Sequence, residues 1–405
     1  MERATLGNII EFVRNGASIK QNEGHKGYPI TRIETIWNST IDEDRLGYAN
    51  IFDSDLEKYE KYLLQKGDIL ISHINSPKHL GKSALYQGYP EKIIHGMNLL
   101  SMRVNKKLCF PKYLFYFLQT KDYKEQINKV SNQSVNQASF STTSLKLLQI
   151  PLQDLTTQKK IAALLDKADE LRQYNKQLIQ KYDALTQSLF LDMFGDPVRN
   201  EKGWDATTIR ELSSDVKYGT SAKANDKGSL PYLRMNNITY DGYMDFSSLK
   251  YIDITGKDIN KYVVKRGDIL FNRTNSKELV GKTGLITNND KYIIAGYLIR
   301  VRTNELANPY FIWAHLNSKW AKLTLKNMCK SIVGMANINA QELQDILIMK
   351  PPITLQNQFA ERIQLIEQQK EQAQQALQKS EDLFNSLLQK AFKGELVAEY
   401  EIDIN

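Results

Sequence analysis

Between residues 158 and 194 the chain reads QKKIAALLDKADELRQYNKQLIQKYDALTQSLFLDMF. Ile161, Ala168, Asn175, Tyr182 and Leu189 lie seven apart, and Leu164, Leu171, Leu178 and Leu185 repeat the spacing three residues later. No Pro or Gly interrupts the stretch, so the pattern predicts a helix with a coiled-coil seam over about four heptads. A second stretch, 356–392, matches it at a constant offset of 198 positions, taking Leu185 to Leu383, Ser188 to Ser386, Leu189 to Leu387 and Phe194 to Phe392. The expected partners across an antiparallel pairing are Phe359, Ile363, Ile366, Leu383 and Leu387. Asn175 at a seam position would cost stability and fix register.

Mixed strand and helix patterns precede each helix. An amphipathic segment, Leu6 to Val13, is followed by strand-like runs at Tyr28–Ile36, Ile69–Ser72, Ser83–Gly88 and Ile93–Val104. Phe110–Thr120 carries Pro111, which suits the first turn of an α-helix. A polar tract, Ser131–Ser144, leads into the long helix, which stops at Gly195 and Pro197. The second half repeats this order. Lys66-Gly67-Asp68-Ile69-Leu70 returns as Arg266-Gly267-Asp268-Ile269-Leu270, and Asn75-Ser76 as Asn275-Ser276. Gly81-Lys82-Ser83 returns as Gly281-Lys282-Thr283, and Pro29 and Arg32 as Pro231 and Arg234. The expected architecture is α/β: two duplicated domains, 1–150 and 198–348, separated by helical regions at 151–197 and 349–405 and related by a pseudo-two-fold.

At 405 residues there is room for two such cores. No apolar run approaches the roughly 20 residues of a membrane span. The opening MERATLGNIIEFVRNG lacks the layout of a signal peptide. The two cysteines, Cys109 and Cys329, read as buried thiols of a cytoplasmic protein. The net charge of +8 favours a polyanionic partner.

Candidate catalysis fails on inspection. The GKS and GKT triplets lack the glycine five residues earlier that a phosphate-binding loop needs, since Ser76 and Ser276 stand there. NPYF at 308–311 lacks the second proline of the amino-methyltransferase motif and reads as a helix start. The five histidines are scattered, and no metal-ligand spacing occurs. The chain is expected to be no enzyme on its own.

What remains is polar loop chemistry suited to double-stranded DNA. Arg, Asn, Gln and His can meet base edges, while Lys, Ser and Thr suit phosphates. In the first half the candidates are Arg32, His73, Asn75, Ser76, Lys78, Lys82, Gln133, Asn136 and Gln137. In the second they are Lys223, Arg234, Arg273, Thr274, Asn275, Ser276, Lys277, Lys282, Asn337 and Asn339, the last two beside a Gly334 hinge. Each is equally readable as a solvated loop residue; the repeated set on a basic chain favours recognition.

The segments IPLQDLTTQKKIA (150–162) and MKPPITLQNQFAERI (349–363), each opening a long helix, resemble the specificity subunit of type I restriction-modification systems. SLFLDMFGD (188–196) and SLLQKAFKGEL (386–396), which close them, carry the same resemblance. The family's usual Pro-Pro pair is present as Pro351-Pro352 but replaced by Gln153-Asp154 in the first copy, which implies a less rigid first entry turn. The resemblance implies that each domain reads one half of a bipartite DNA site while the helices set the spacing. It also implies that the helices bind two adenine-methylating modification subunits, joined by restriction subunits. S-adenosylmethionine, ATP and Mg would belong to those partners, with no cofactor in this chain. The specificity subunit of a combined restriction-methylation enzyme, and a coiled-coil adaptor that never touches DNA, are the alternatives.

Overall fold

The computed structural model describes residues 2–22, 26–254, 259–332 and 335–396. The Gly334 hinge and His25 lie outside them. The chain forms two compact units, one from the residues up to Asn175 together with those from Ala376 onward, the other Lys176–Gln375. The division cuts through both long helices, Leu155–Phe194 and Ile353–Lys393.

The first unit is built on an antiparallel sheet in the order Ser83–Leu85, Ile69–Ser72, Leu99–Val104, Ile10–Asn15. The Lys66–Leu70 turn opens its central strand. Gly67 has φ +98°, a conformation that favours glycine. The carboxylate of Asp68, 1% exposed, accepts from Gln65 N at 2.8 Å and from Arg103 through two 2.7 Å bonds. One face of the sheet packs on helix Pro111–Phe117 and the first half of the central long helix, joined by the last turns of the C-terminal one. Leu6, Ile69, Leu114, Phe117, Ile161, Leu165, Phe384 and Phe392 share that core. The opening segment Leu6–Val13 is a single helical turn, Leu6–Ile9, continuing as strand Ile10–Asn15.

The second unit has the sheet order Ser213–Tyr218, Leu298–Thr303, Ile269–Asn272, Thr283–Leu285. Asp268 and Arg302 repeat the buried pair at 2.8 and 3.0 Å. A further arginine, Arg300, is 2% exposed and held by Asp215 at 2.6 Å. The core gathers Phe190, Phe194, Phe311, Phe359 and Ile363.

Each unit contains one stretch of each long helix, running antiparallel. In the first, Arg172 stacks over Phe384 with Cζ 4.2 Å from the ring centroid, and Asn175 donates to Ser380 Oγ at 3.3 Å. In the second, Asp183 pairs with Lys370, and Phe190 and Phe194 pack on Phe359 at 5.9 and 5.2 Å. The rotation of the seam corrects the expected one. Ile161 is buried, as are Phe359 and Ile363, while Leu164, Leu178, Leu189, Ile366 and Leu387 are half-buried. Leu171, Leu185 and Leu383 are 45, 47 and 46% exposed. The second seam row of the central helix runs one residue further on, through Leu165, Arg172, Ile179, Thr186 and Met193. One residue is about 100° of rotation. Arg172 and Thr186 are polar, which hides that row from a count of leucines.

Both helix entries are anchored by a glutamine with no exposure. Gln158 accepts from Phe110 N at 2.7 Å and donates to Leu108 O at 3.0 Å and Gln153 O at 2.8 Å. Gln356 accepts from Asn308 N at 2.9 Å and donates to Leu306 O at 3.2 Å and Pro351 O at 2.8 Å. The missing proline pair leaves the first entry no looser. Asp154 accepts from Thr157 N at 2.9 Å and Thr157 Oγ1 at 2.6 Å, which caps the helix and holds its carboxyl below the usual range.

Cys109 is buried, whereas Cys329 is only half-buried. His315 stands where the first unit has Phe117, 198 positions earlier. It is 1% exposed, walled by Phe190, Phe311 and Trp320, and neither ring nitrogen has a partner. Burial pushes its pKa down to about 3. The unfolded chain takes up a proton below about pH 6.5 that the folded chain refuses, so this residue costs stability increasingly as the pH falls below about 6.5. His315→Phe is expected to raise the melting temperature more at pH 5 than at pH 8. An equal shift at both would mean the imidazole is not held neutral.

Candidate nucleic-acid interface

The polar candidates converge on one construction, present in each unit: the turn after the central strand, with a short hairpin added to its edge. In the first unit, Ile74–Asn75 pairs with Ala138–Ser139, which pairs with Asn132–Gln133. The intervening tip is closed by Ser134 N donating to Gln137 O at 2.7 Å. Gln133, Asn136 and Gln137 are exposed there, and Val135 at the tip is 96% exposed. In the second unit, Thr274–Asn275 pairs with Met335–Asn337 and that with Lys330–Ile332.

The turns share their backbone. Ser76 N donates to Asn75 Oδ1 at 2.8 Å, and Ser276 N to Asn275 Oδ1 at 2.9 Å. Gly81 N closes on Ser72 O at 2.8 Å, and Gly281 N on Asn272 O at 2.9 Å. The glycines sit at φ +76° and +84°, which favours Gly and accounts for the GKS and GKT triplets as turns. Asn75 and Asn275 therefore shape the turn with their side chains. Ser76 and Ser276 likewise offer their carbonyls to Leu80 N and Val280 N.

The side chains carried on this shared backbone differ. His73 is 9% exposed, edge-on to Phe140 at 6.4 Å, and its pKa is lowered by burial. It is a packing residue, which corrects its expected place at the DNA. Its counterpart, Arg273, is half-buried with Cζ 4.9 Å from the centroid of Tyr218. Thr274 Oγ1 reaches Asn337 Oδ1 at 3.4 Å, and Asn337 is exposed.

Lys78 and Lys82 are exposed and, with Lys124 and Arg172, line a cleft of about 480 Å³ in the first unit. Lys277 is exposed, and so is Lys223, on the segment before strand Leu230–Leu233. Lys282 is a second correction. It is 9% exposed, and its Nζ donates to Met235 O at 2.9 Å and to Ile238 O, so it braces the fold from inside. Asn339 is a third, since it caps helix Ala340–Gln344 by accepting from Gln341 N and Glu342 N, both at 2.9 Å. Arg32 and Arg234 brace too. Each opens a short 3-10 turn, Ile33–Thr35 and Met235–Asn237, and their guanidinia lie half-buried. Arg32 lies against Gly47, where an added Cβ would come within 2.3 Å of Nε, and Arg234 donates to Ser248 O at 3.4 Å.

Sequence reasoning missed Arg103, Arg302, Tyr218 and the two anchoring glutamines. The glutamines left a trace as the shared third residue of TTQ and TLQ at an offset of 198, and the arginines as a pair recurring at 199. Among the described residues, no group of three or more His, Cys, Asp or Glu side chains is placed to hold a metal ion, and no helix is long and apolar enough to cross a membrane.

Two units share one sheet order, and each carries a polar turn with an added hairpin. The chain belongs to the family of the type I restriction modification DNA specificity domain, whose model matches residues 1–182 and again 201–379. It is 32% identical to the MjaX type I restriction enzyme specificity subunit of Methanocaldococcus jannaschii over 405 residues, 95% of this chain and 91% of that protein. It is 24% identical to the EcoKI specificity subunit of Escherichia coli, covering 93% of this chain and 84% of that one. The fold matches the crystal structure of the S subunit of a type I restriction-modification system from M. genitalium, with a TM-score of 0.59 at 16% identity over 96% of each chain.

Proposed function

We propose that the chain is the DNA-recognition subunit of a type I restriction-modification complex and reads a bipartite, asymmetric site. In this reading residues 1–150 and 198–348 are duplicated recognition domains. Residues 151–197 and 349–405 form an antiparallel coiled coil that sets the distance between half-sites. The reading rests on one observation above the others: the two turns share hydrogen bonds and glycine geometry yet carry different side chains, His73 against Arg273 and Ile74 against Thr274. A common scaffold carrying different side chains suits two domains that read different DNA words.

The chain itself performs no chemistry in this scheme. Two modification subunits supply adenine methylation with S-adenosylmethionine, and restriction subunits supply ATP- and Mg-dependent cleavage, all in the cytoplasm. The exposed leucines of the long helices suit the docking of the modification subunits. Leu185 and Leu383 occupy the same position of the repeat, one in each unit, and are exposed to the same degree, 47 and 46%. Near-equivalent patches fit two copies of one partner.

Exchange of residues 1–150 for the first domain of another family member tests the reading. Selection from random duplexes by the assembled complex is expected to change one half-site and leave the other as it was. A change in both would show that the domains do not read independently.

A further inference from the structure

We propose that Arg273 reads a guanine in the half-site of the second recognition domain, through a bidentate contact to its major-groove edge. The inference rests on the DNA-recognition reading above and names the residue and base at that site.

The position of Arg273 is fixed on both sides. Its backbone N donates to Tyr297 O at 3.0 Å, and its carbonyl accepts from Ile338 N at 2.9 Å. The side chain is fixed too. The guanidinium lies over the ring of Tyr218, and the Tyr218 hydroxyl accepts from Ala340 N at 2.8 Å, which ties that ring to a helix start. Stacking uses the face of a guanidinium and leaves its hydrogen-bonding edge available.

That edge is unmet. Nη1 reaches only Gly296 O at 3.5 Å, and Nε has no partner. Among the described residues no ion pair involves Arg273 or Arg234, and Arg234 turns instead to Ser248 O, whereas Arg210, Arg300 and Arg302 of the same unit each hold a carboxylate, Asp345, Asp215 and Asp268. A half-buried guanidinium without an anion in the chain is left to water or to a partner outside it. Around it Thr274, exposed Asn337 and Tyr297, 51% exposed, present further polar groups at the same turn. An arginine held flat with its Nε buried leaves its Nη end for the O6 and N7 acceptors of guanine, the commonest specific arginine contact to a base. The first unit offers no such reader at the matching position, because His73 is buried beneath Phe140.

The test uses the chain assembled with its modification subunits, as wild type, Arg273→Lys and Arg273→Gln, each checked for an unchanged melting temperature. Binding is measured by selection from random duplexes and as a function of salt. Arg273→Gln is expected to lose discrimination at one G·C pair of one half-site by about 10- to 100-fold and to keep every other position. Arg273→Lys, which keeps the charge but not the fork, is expected to lose most of the same discrimination with its salt dependence intact. Weaker binding to all sequences alike, with a shallower salt dependence and an unchanged motif, would assign Arg273 to a phosphate and overturn the inference. So would a loss of preference at an A·T pair, or no change at all. A bipartite wild-type motif with an unaltered Arg273→Gln profile overturns this assignment alone. A wild-type complex that enriches no bipartite motif overturns it together with the reading it rests on.

Discussion

Gln356→Leu is expected to destabilise the second unit by about 3–5 kcal/mol, because it strands three buried backbone groups at once. The side chain has no exposure and serves Asn308 N, Leu306 O and Pro351 O. Leucine has nearly the same volume, so the loss comes from hydrogen bonding rather than from a cavity. Each orphaned group costs about 1–3 kcal/mol of desolvation. Gln158→Leu should do the same to the first unit through Phe110 N, Leu108 O and Gln153 O. Hydrogen exchange separates the two. The amide of Asn308 should lose protection in one variant and that of Phe110 in the other. A loss below about 1 kcal/mol in both would mean water replaces the glutamine and that it anchors nothing.

Four residues inserted after Asn175 are expected to lengthen the unread spacer of the DNA site or to abolish assembly. Four helical residues add about 6 Å and leave a net turn of about 40°, which shifts the seam out of phase. The insertion falls beside the Asn175–Ser380 bond and between Arg172, which stacks on Phe384, and Phe190, which packs on Phe359. At 3.4 Å per base pair, about 6 Å corresponds to roughly two base pairs. Selection from random duplexes reads the spacer directly. An unchanged spacer in an intact complex would mean that the helices do not set the distance.

Much of the fold was legible because the two halves share the residues that geometry cannot do without. Gly67 and Gly267, with Asp68 and Asp268, recur because a positive φ and a buried carboxylate are needed where the central strand begins. The helix starts at Pro111 and Pro309 were legible for the same reason, as a proline suits a first turn. The rotation of the long helices was not, since Arg172 and Thr186 occupy seam positions that look like surface. Arg172 covers Phe384 with its stem and guanidinium, an apolar service by a charged residue that no hydrophobic pattern reveals.

The candidate site was legible as a place and less so as a set of side chains. Asn75, Gln133, Asn136 and Gln137 do meet on one small sheet, and Arg273, Thr274 and Asn337 on its counterpart. Lys282, Asn339 and His73 were drawn in by residue type alone, and each is consumed by the fold: two carbonyls, a helix start and a phenylalanine. Burial decides between such roles, and burial depends on contacts between residues such as Lys282 and Ile238, 44 positions apart.

Sequencing the methylated adenines of cells that carry the complete complex tests the central claim most directly. The expected result is one motif made of two unlike half-sites separated by a fixed run of unread base pairs, with methylation lost when this chain is deleted. Methylation at a single continuous or palindromic word, or a motif that survives the deletion, would contradict it.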